Sequence, residues 1–197
     1  MDQPVLATRR LLLRPFAPAD ADDVERLAGD RAIADTTLRI PHPYPRGAAM
    51  AWIEALAPCW EERKAVVFAV TEAAGGALAG AAGLELTPEH RRAELGYWIG
   101  VPFWNLGYAT EAALAVMRFG FGTLGLHRIQ ARAMARNPAS IRVLEKLGMT
   151  REGVQRGFMF KWGLPEDMVL YAVLAGDPRP VDPPAGLSPG AIGGFPT

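Results

Sequence analysis

The segment Gly96-Tyr-Trp-Ile-Gly-Val-Pro-Phe-Trp-Asn-Leu-Gly-Tyr-Ala-Thr-Glu-Ala112 holds the clearest chemistry in this chain. It reads as a strand, a short turn with a glycine at Gly107, and the first turn of a helix. The first N–H groups of a helix have no internal partner, and the helix dipole is positive there. A strand that enters a helix through a glycine turn is therefore a place to hold an anion, and a diphosphate is the obvious guest. A second signal lies in Asn137-Pro-Ala-Ser140. Asn before Pro opens a helix, with the Asn side chain free to satisfy an orphan donor. The three histidines and single cysteine (Cys59) lack metal-ligand spacing, so no metal is expected.

These groups need a scaffold, and the scaffold is legible in outline. Val5 to Phe16 reads as one strand. A helix follows from Pro18-Ala-Asp20 to about Gly29, with Ala21, Val24, Leu27 and Ala28 on one face. Pro41, Pro43 and Pro45 make residues 36–47 an extended loop. A second helix runs roughly from Gly47 to Arg63. Strands are expected over Ala65–Thr71, Leu78–Leu86 and Ala93–Gly100, separated by turns at Ala74-Gly-Gly76 and Pro88-Glu-His90. The last of these strands is apolar on both faces, as a strand covered on both sides should be. A helix spans 108–124, with Leu114, Met117, Phe121 and Leu124 as its stripe and Gly125 as its stop. His127–Met134 is a strand. The helix opened by Asn137-Pro138 ends at Gly148. Met149–Phe160 and Asp167–Leu174 close the fold. The class is α+β, in the order β-α-α-β-β-β-α-β-α-β-β: one domain over residues 5–175 and a Pro/Gly-rich tail over 176–197, expected to be disordered.

Composition narrows the function. The chain has 197 residues, half of them hydrophobic, enough for one core. Lys plus Arg and Asp plus Glu both number 21, so no general attraction to nucleic acid or an anionic membrane is implied. One cysteine excludes an internal disulfide and suits a reducing compartment. Leu11–Leu13 is flanked by Arg9, Arg10 and Arg14, so no signal core is expected. No stretch approaches the ~20 apolar residues of a membrane span. A soluble, cytoplasmic protein is expected.

Taken together, these pieces resemble the GNAT N-acetyltransferases, and within them the branch of the ribosomal-protein alanine N-acetyltransferases (RimJ/RimL-like). The resemblance covers about Thr8 to Leu174. Thr8-Arg-Arg-Leu-Leu-Leu-Arg-Pro-Phe16 is similar to that branch's first strand, and Gly96-Tyr-Trp-Ile-Gly100 to its fourth. Trp104-Asn-Leu-Gly-Tyr-Ala-Thr-Glu-Ala112 is similar to its acetyl-CoA diphosphate loop. Leu126-His-Arg-Ile129, Asn137-Pro-Ala-Ser140 and Val143-Leu-Glu-Lys-Leu-Gly-Met149 are similar to its fifth strand and the helix after it. The general loop pattern is Gln/Arg-x-x-Gly-x-Gly/Ala. Trp104 takes its first place, followed by Gly107 and Ala109. Asn105-Leu106 stands where the branch often has Gly-Lys, which removes one cation near the phosphates.

The resemblance implies the GNAT fold and transfer of an acetyl group from acetyl-CoA to a primary amine. The acceptor would be a protein N-terminus or a small molecule. It places the diphosphate on the amides of Asn105, Leu106, Gly107, Tyr108, Ala109 and Thr110. It places the pantetheine arm along Trp98, Ile99 and Gly100, with Asn137 touching that arm. Ser140 would act near the leaving sulfur. Many relatives have a tyrosine where this chain has Leu144, and some have a glutamate where it has Met159. Glu94 is then the best substitute base, Glu85 the second, and delivery by solvent the third. Arg39, His42, Tyr44 and Phe158, with the run to Trp162, would line the acceptor site. A homodimer is possible in this family. The departures at Leu144 and Met159 keep open a non-catalytic acyl-CoA-binding or sensor module.

Overall fold

The computed structural model describes residues 2–178. The predicted tail therefore lies, apart from Gly176, Asp177 and Pro178, outside the described residues. The elements are β1 (Leu6–Ala7), β2 (Leu11–Arg14), α1 (Ala21–Ala28), α2 (Arg31–Thr36), α3 (Ala48–Glu61), β3 (Ala65–Glu72), β4 (Leu78–Thr87), β5 (Arg92–Ile99), α4 (Tyr108–Gly122), β6 (Arg128–Met134), α5 (Pro138–Lys146), β7 (Thr150–Lys161) and β8 (Leu164–Leu174). The strands form one eight-stranded sheet in the order β1-β2-β3-β4-β5-β6-β8-β7. Every neighbouring pair is antiparallel except β5 and β6. This is the α+β arrangement expected from the sequence.

Helices cover both faces. Val66, Phe68 and Val70 of β3 join Leu84, Leu95, Ile129, Met117 and Leu144 in a core beneath α4 and α5. Ala69 and Leu78 meet Val24, Leu27 and Ile53 of α1 and α3 on the other face. That alternation along β3 is the period-two signature of a strand between two layers. The buried stripe of α4 runs through Ala112, Ala113, Val116, Met117 and Gly120, while Phe121 and Leu124 are only partly buried. Small residues let this helix lie close on the sheet. A Cβ at Gly120 would stand 2.9 Å from both Ile129 and Leu84 side chains.

Three expectations need correction. The first strand is a hairpin of two. Thr8 turns the chain, its hydroxyl accepting from the Leu11 N–H at 2.9 Å, and Glu111 accepts from the Arg10 N–H at 2.9 Å. A partner about a hundred residues away thus shapes that turn. Next, α2 stands where no helix was expected. Asp30 caps it, accepting from the Ala32 N–H at 2.8 Å. Finally, β5 is not covered on both faces. Ala93, Leu95 and Ile99 are buried, but Glu94, Gly96 and Trp98 face a cavity.

Candidate functional site

The site begins where the sheet comes apart. β5 and β6 are in register for three pairs only: Arg92 with Arg128, Ala93 with Ile129, and Glu94 with Gln130. Beyond them β5 follows β4 as far as Ile99, and β6 follows β8 as far as Met134. The two halves diverge around a cavity of about 290 Å³. A Cβ on Gly96 would meet nothing within 4 Å, so this glycine keeps the opening wide.

Alternate residues of a strand present their main-chain groups to opposite edges. Arg91 accepts from His127 of the β6 side, whereas the Gly100 N–H donates to Ala79 beside β4. Odd-numbered residues of β5 therefore face β6, and even-numbered ones face β4. Past Glu94, the main chain of Tyr97 and the N–H of Ile99 point into the opening. The main-chain groups of Trp98 and Gly100 are turned to β4, so of the stretch Trp98–Gly100 only the Ile99 N–H faces the opening, and Tyr97 joins it there. The Ile99 carbonyl accepts from the Trp104 indole N–H at 2.6 Å, and Trp98 contributes its side chain to the cavity wall.

A 3₁₀ turn over Val101–Phe103 carries β5 into the loop before α4. Asn105 (φ 62°) and Gly107 (φ 80°) are both left-handed, the conformation glycine tolerates. Gly107 is the N-cap of α4 and offers no side-chain cap. The first amide bonded back along the helix is that of Glu111, to Gly107 at 3.1 Å. The amides of Tyr108, Ala109 and Thr110 thus have no partner within the helix, the condition under which a helix start can hold an anion. A guanidinium nitrogen of Arg10 lies 3.4 Å from where a Gly107 Cβ would sit. Arg10 also pairs with Glu111 at 2.7 Å and stacks over the Tyr108 ring at 5.0 Å. Burial pushes the Glu111 carboxyl up. Hydrogen bonds from Thr8 and Arg10, with the Arg10 charge, outweigh it and hold the group below the usual glutamate range.

Across the opening stands the first turn of α5. Asn137 caps this helix, its side-chain oxygen accepting from the Ser140 N–H at 3.0 Å. Ser140 lines the cavity, and its Oγ lies 2.9 Å from the Tyr97 hydroxyl. Burial pushes the Tyr97 phenol up to about 12, although the Ser140 hydrogen bond pulls the other way. Leu144, one turn on, is fully buried.

The mouth is built from paired charges. Glu94 accepts from Arg132 through both oxygens at 2.8 Å, and from Gln130 at 3.3 Å. Glu85 is held by both terminal nitrogens of Arg39. Residues 36–40 close one side. Lys161 ties them down, donating to the Thr37 carbonyl at 2.9 Å and that of Ile40 at 3.1 Å. Arg136 clips α2 to β8, reaching Asp35 at 2.9 Å and Glu166 at 2.6 Å.

The structure thus gathers Ser140, Glu94, Glu85, Arg39 and Trp98 around one cavity, with the 105–110 loop next to the β5 end. His42, Tyr44 and Phe158 are not part of its lining. His42 Nδ1 is 3.1 Å from the Gly29 carbonyl, and Tyr44 packs on the α1–α3 core. Phe158 is exposed beneath the Arg132 guanidinium, 4.8 Å away. Sequence reasoning gave no role to Arg10, Glu111, Tyr97 or Arg132. Tyr97 sits inside the motif Gly96-Tyr-Trp, but no local signal ties it to Ser140. Among the described residues no group of His, Cys, Asp or Glu side chains converges as a metal site, and no helix is long and apolar enough to cross a membrane.

Comparison with known proteins supplies the context. A family model described as an acetyltransferase (GNAT) domain matches residues 10–150. An uncharacterised N-acetyltransferase of Bacillus subtilis, YoaA, is 32% identical over 173 residues, covering 87% of this chain and 97% of its own. The [ribosomal protein uS5]-alanine N-acetyltransferase of Escherichia coli is 35% identical over 86 residues, 44% of each chain. Among solved structures, RimL, a ribosomal L7/L12 α-N-protein acetyltransferase in complex with coenzyme A, superposes with a TM-score of 0.80. It is 16% identical and is matched over 87% of this chain and 98% of its own, a likeness of fold.

Proposed function

The chain belongs to the GNAT acetyltransferase family and is an N-acetyltransferase, and from that premise we propose that it moves the acetyl group of acetyl-CoA to a primary amine by direct attack of the nitrogen on the thioester. One observation carries the reading. The sheet parts at Glu94 beside an uncapped helix N-terminus, with a serine hydroxyl on the opposite wall. Acetyl-CoA supplies an acyl group on a good leaving thiol. The rest is the work of this chain.

The amides of Tyr108, Ala109 and Thr110, with the turn from Asn105 to Gly107, hold the diphosphate. Arg10 adds a cation at the same place, offsetting the lysine missing at Asn105-Leu106. The main chain of Tyr97 and the N–H of Ile99 pair with the pantetheine arm, and one of those N–H groups steadies the thioester oxygen as it gains charge. Holding both reactants in one narrow opening supplies the proximity that bimolecular attack lacks. Ser140 stands by the sulfur. The amine enters between residues 36–40 and β6, past the Arg39–Glu85 and Arg132–Glu94 pairs. Both oxygens of each carboxylate are engaged by an arginine, so these glutamates orient the amine and set the field around it, while solvent takes its proton. The acceptor is a protein N-terminus or a small amine of similar reach. The activity of the uS5 enzyme supports the former.

The test is thiol release from acetyl-CoA across a panel of peptide N-termini and small amines. Gly107→Glu puts bulk and negative charge at the diphosphate, and should lower CoA affinity at least 100-fold, about 2.7 kcal/mol, in calorimetry. A wild-type protein that binds CoA yet acetylates none of the panel would contradict the proposal.

A further inference from the structure

We propose that Tyr97 is a positioning residue that donates its hydroxyl proton to Ser140 and so aims the Ser140 hydroxyl at the sulfur of the acyl donor. This rests on the acyl-donor reading of the opening given above.

The geometry is specific. Ser140 has one hydroxyl proton. That proton is left for the sulfur when the Ser140 oxygen accepts from the Tyr97 hydroxyl, 2.9 Å away, rather than donating to it. The competing acceptor for Tyr97, the Ser140 carbonyl, is more distant at 3.4 Å. Tyr97 comes from β5 and Ser140 from α5, so the pair bridges the two halves of the divided sheet. Leu144, on the same face of α5 one turn later, has no proton to give. The hydroxyl that partners Ser140 thus comes from the strand rather than from the helix. The phenol stays protonated across the neutral range, so it remains a donor throughout.

In the transfer step, the amine nitrogen bonds to the acetyl carbon and the C–S bond breaks. The electron pair stays on sulfur, and the proton lost by the amine goes to solvent. Neither hydroxyl changes its protonation state. A free thiol has a pKa of about 8.5, so thiolate is a competent leaving group, and each donor aimed at it lowers that value.

Tyr97→Phe keeps the ring and removes the hydroxyl. The readout is the pH titration of the thiol of CoA bound to the protein, followed by thiolate absorbance with no acceptor present. The wild type should favour thiolate about tenfold over Tyr97→Phe, the size of one charge-assisted hydrogen bond. Ser140→Ala should shift the titration as far, and the double variant should add nothing. Turnover with Tyr97→Phe should fall by a similar factor at unchanged KM for acetyl-CoA. The proposal is overturned if Tyr97→Phe titrates like the wild type, or shifts the thiol equally with and without Ser140. Should Tyr97→Phe not fold, Ser140→Ala still decides, because an unshifted thiol there removes the group Tyr97 is meant to aim. A wild type that binds no CoA defeats the acyl-donor reading itself, and this proposal with it.

Discussion

Glu111→Gln separates the stability of the 105–110 loop from affinity for CoA. Glu111 accepts from the Thr8 hydroxyl at 2.7 Å, the Arg10 N–H at 2.9 Å and the Arg10 side chain at 2.7 Å. In the variant, the amide oxygen can keep the first two bonds. The amide nitrogen then faces the Arg10 guanidinium, donor against donor. What is lost is one charge-assisted pair, about 1.5–3 kcal/mol. The Arg10 side chain is 37% exposed and regains water, which favours the lower end, about 1.5–2 kcal/mol. For a chain of this size that is a fall in Tm of roughly 3–8 °C. The sign of its pH dependence also follows. Glu111 titrates below the usual glutamate range when folded, so its contribution is complete above that range and fades as pH falls through the lowered value. The gap between wild type and variant should close in acid. CoA affinity should hold or rise, because Arg10 loses its competing carboxylate while staying beside Gly107. Thermal melts at several pH values, with calorimetry against CoA, measure both. Equal Tm at neutral pH, or a gap that widens in acid, would refute the reasoning.

Two further perturbations probe the frame of the cavity. Gly80→Ala would set a Cβ 2.1 Å from the Trp98 carbonyl oxygen and 2.9 Å from the Ile99 Cα. Those are backbone atoms, so β4 and β5 must separate, at about 1–3 kcal/mol in denaturant unfolding, with weaker CoA binding because the Tyr97–Ile99 edge moves. Arg136→Ala unclips Asp35 from Glu166 and loosens α2. The KM for the acceptor should rise about three- to tenfold, with the KM for acetyl-CoA unchanged.

What could be read ahead of the structure was local. Gly107 before α4, Asn137 before Pro138, and the left-handed glycines Gly125 and Gly148 after α4 and α5 each act within a few residues, and each leaves a mark in the sequence. What escaped depends on distant partners. The Thr8 turn leans on Glu111, and Tyr97 meets Ser140 across 43 residues. The opening between β5 and β6 forms because β5 stays with β4 and β6 with β8 beyond Glu94 and Gln130, a divergence no window of sequence contains. α2 was missed because six residues are too few for a periodic stripe, although Gly29-Asp30 is a stop followed by a cap. In α4 the expected Leu114 and Met117 are buried, but Phe121 and Leu124 are only partly so, because small residues such as Ala112, Ala113 and Gly120 make the closest contact with the sheet.

The parting of β5 from β6 also bears on where this protein carries its unpaired main-chain groups. Unpaired strand groups on an outer rim invite any passing chain to add and aggregate. Here the outer rims are guarded: β1 is two residues long, and β7 breaks register twice against β8. The unpaired groups of Tyr97 and Ile99 belong instead to an inner rim, walled by β6. A polypeptide strand would need about 4.8 Å of clearance on each side of its backbone, plus room for side chains above and below. A wedge that opens from three closed pairs admits a thin, unbranched chain with amides along it far more readily than a peptide. The same angle that exposes these groups therefore sorts what can reach them by girth.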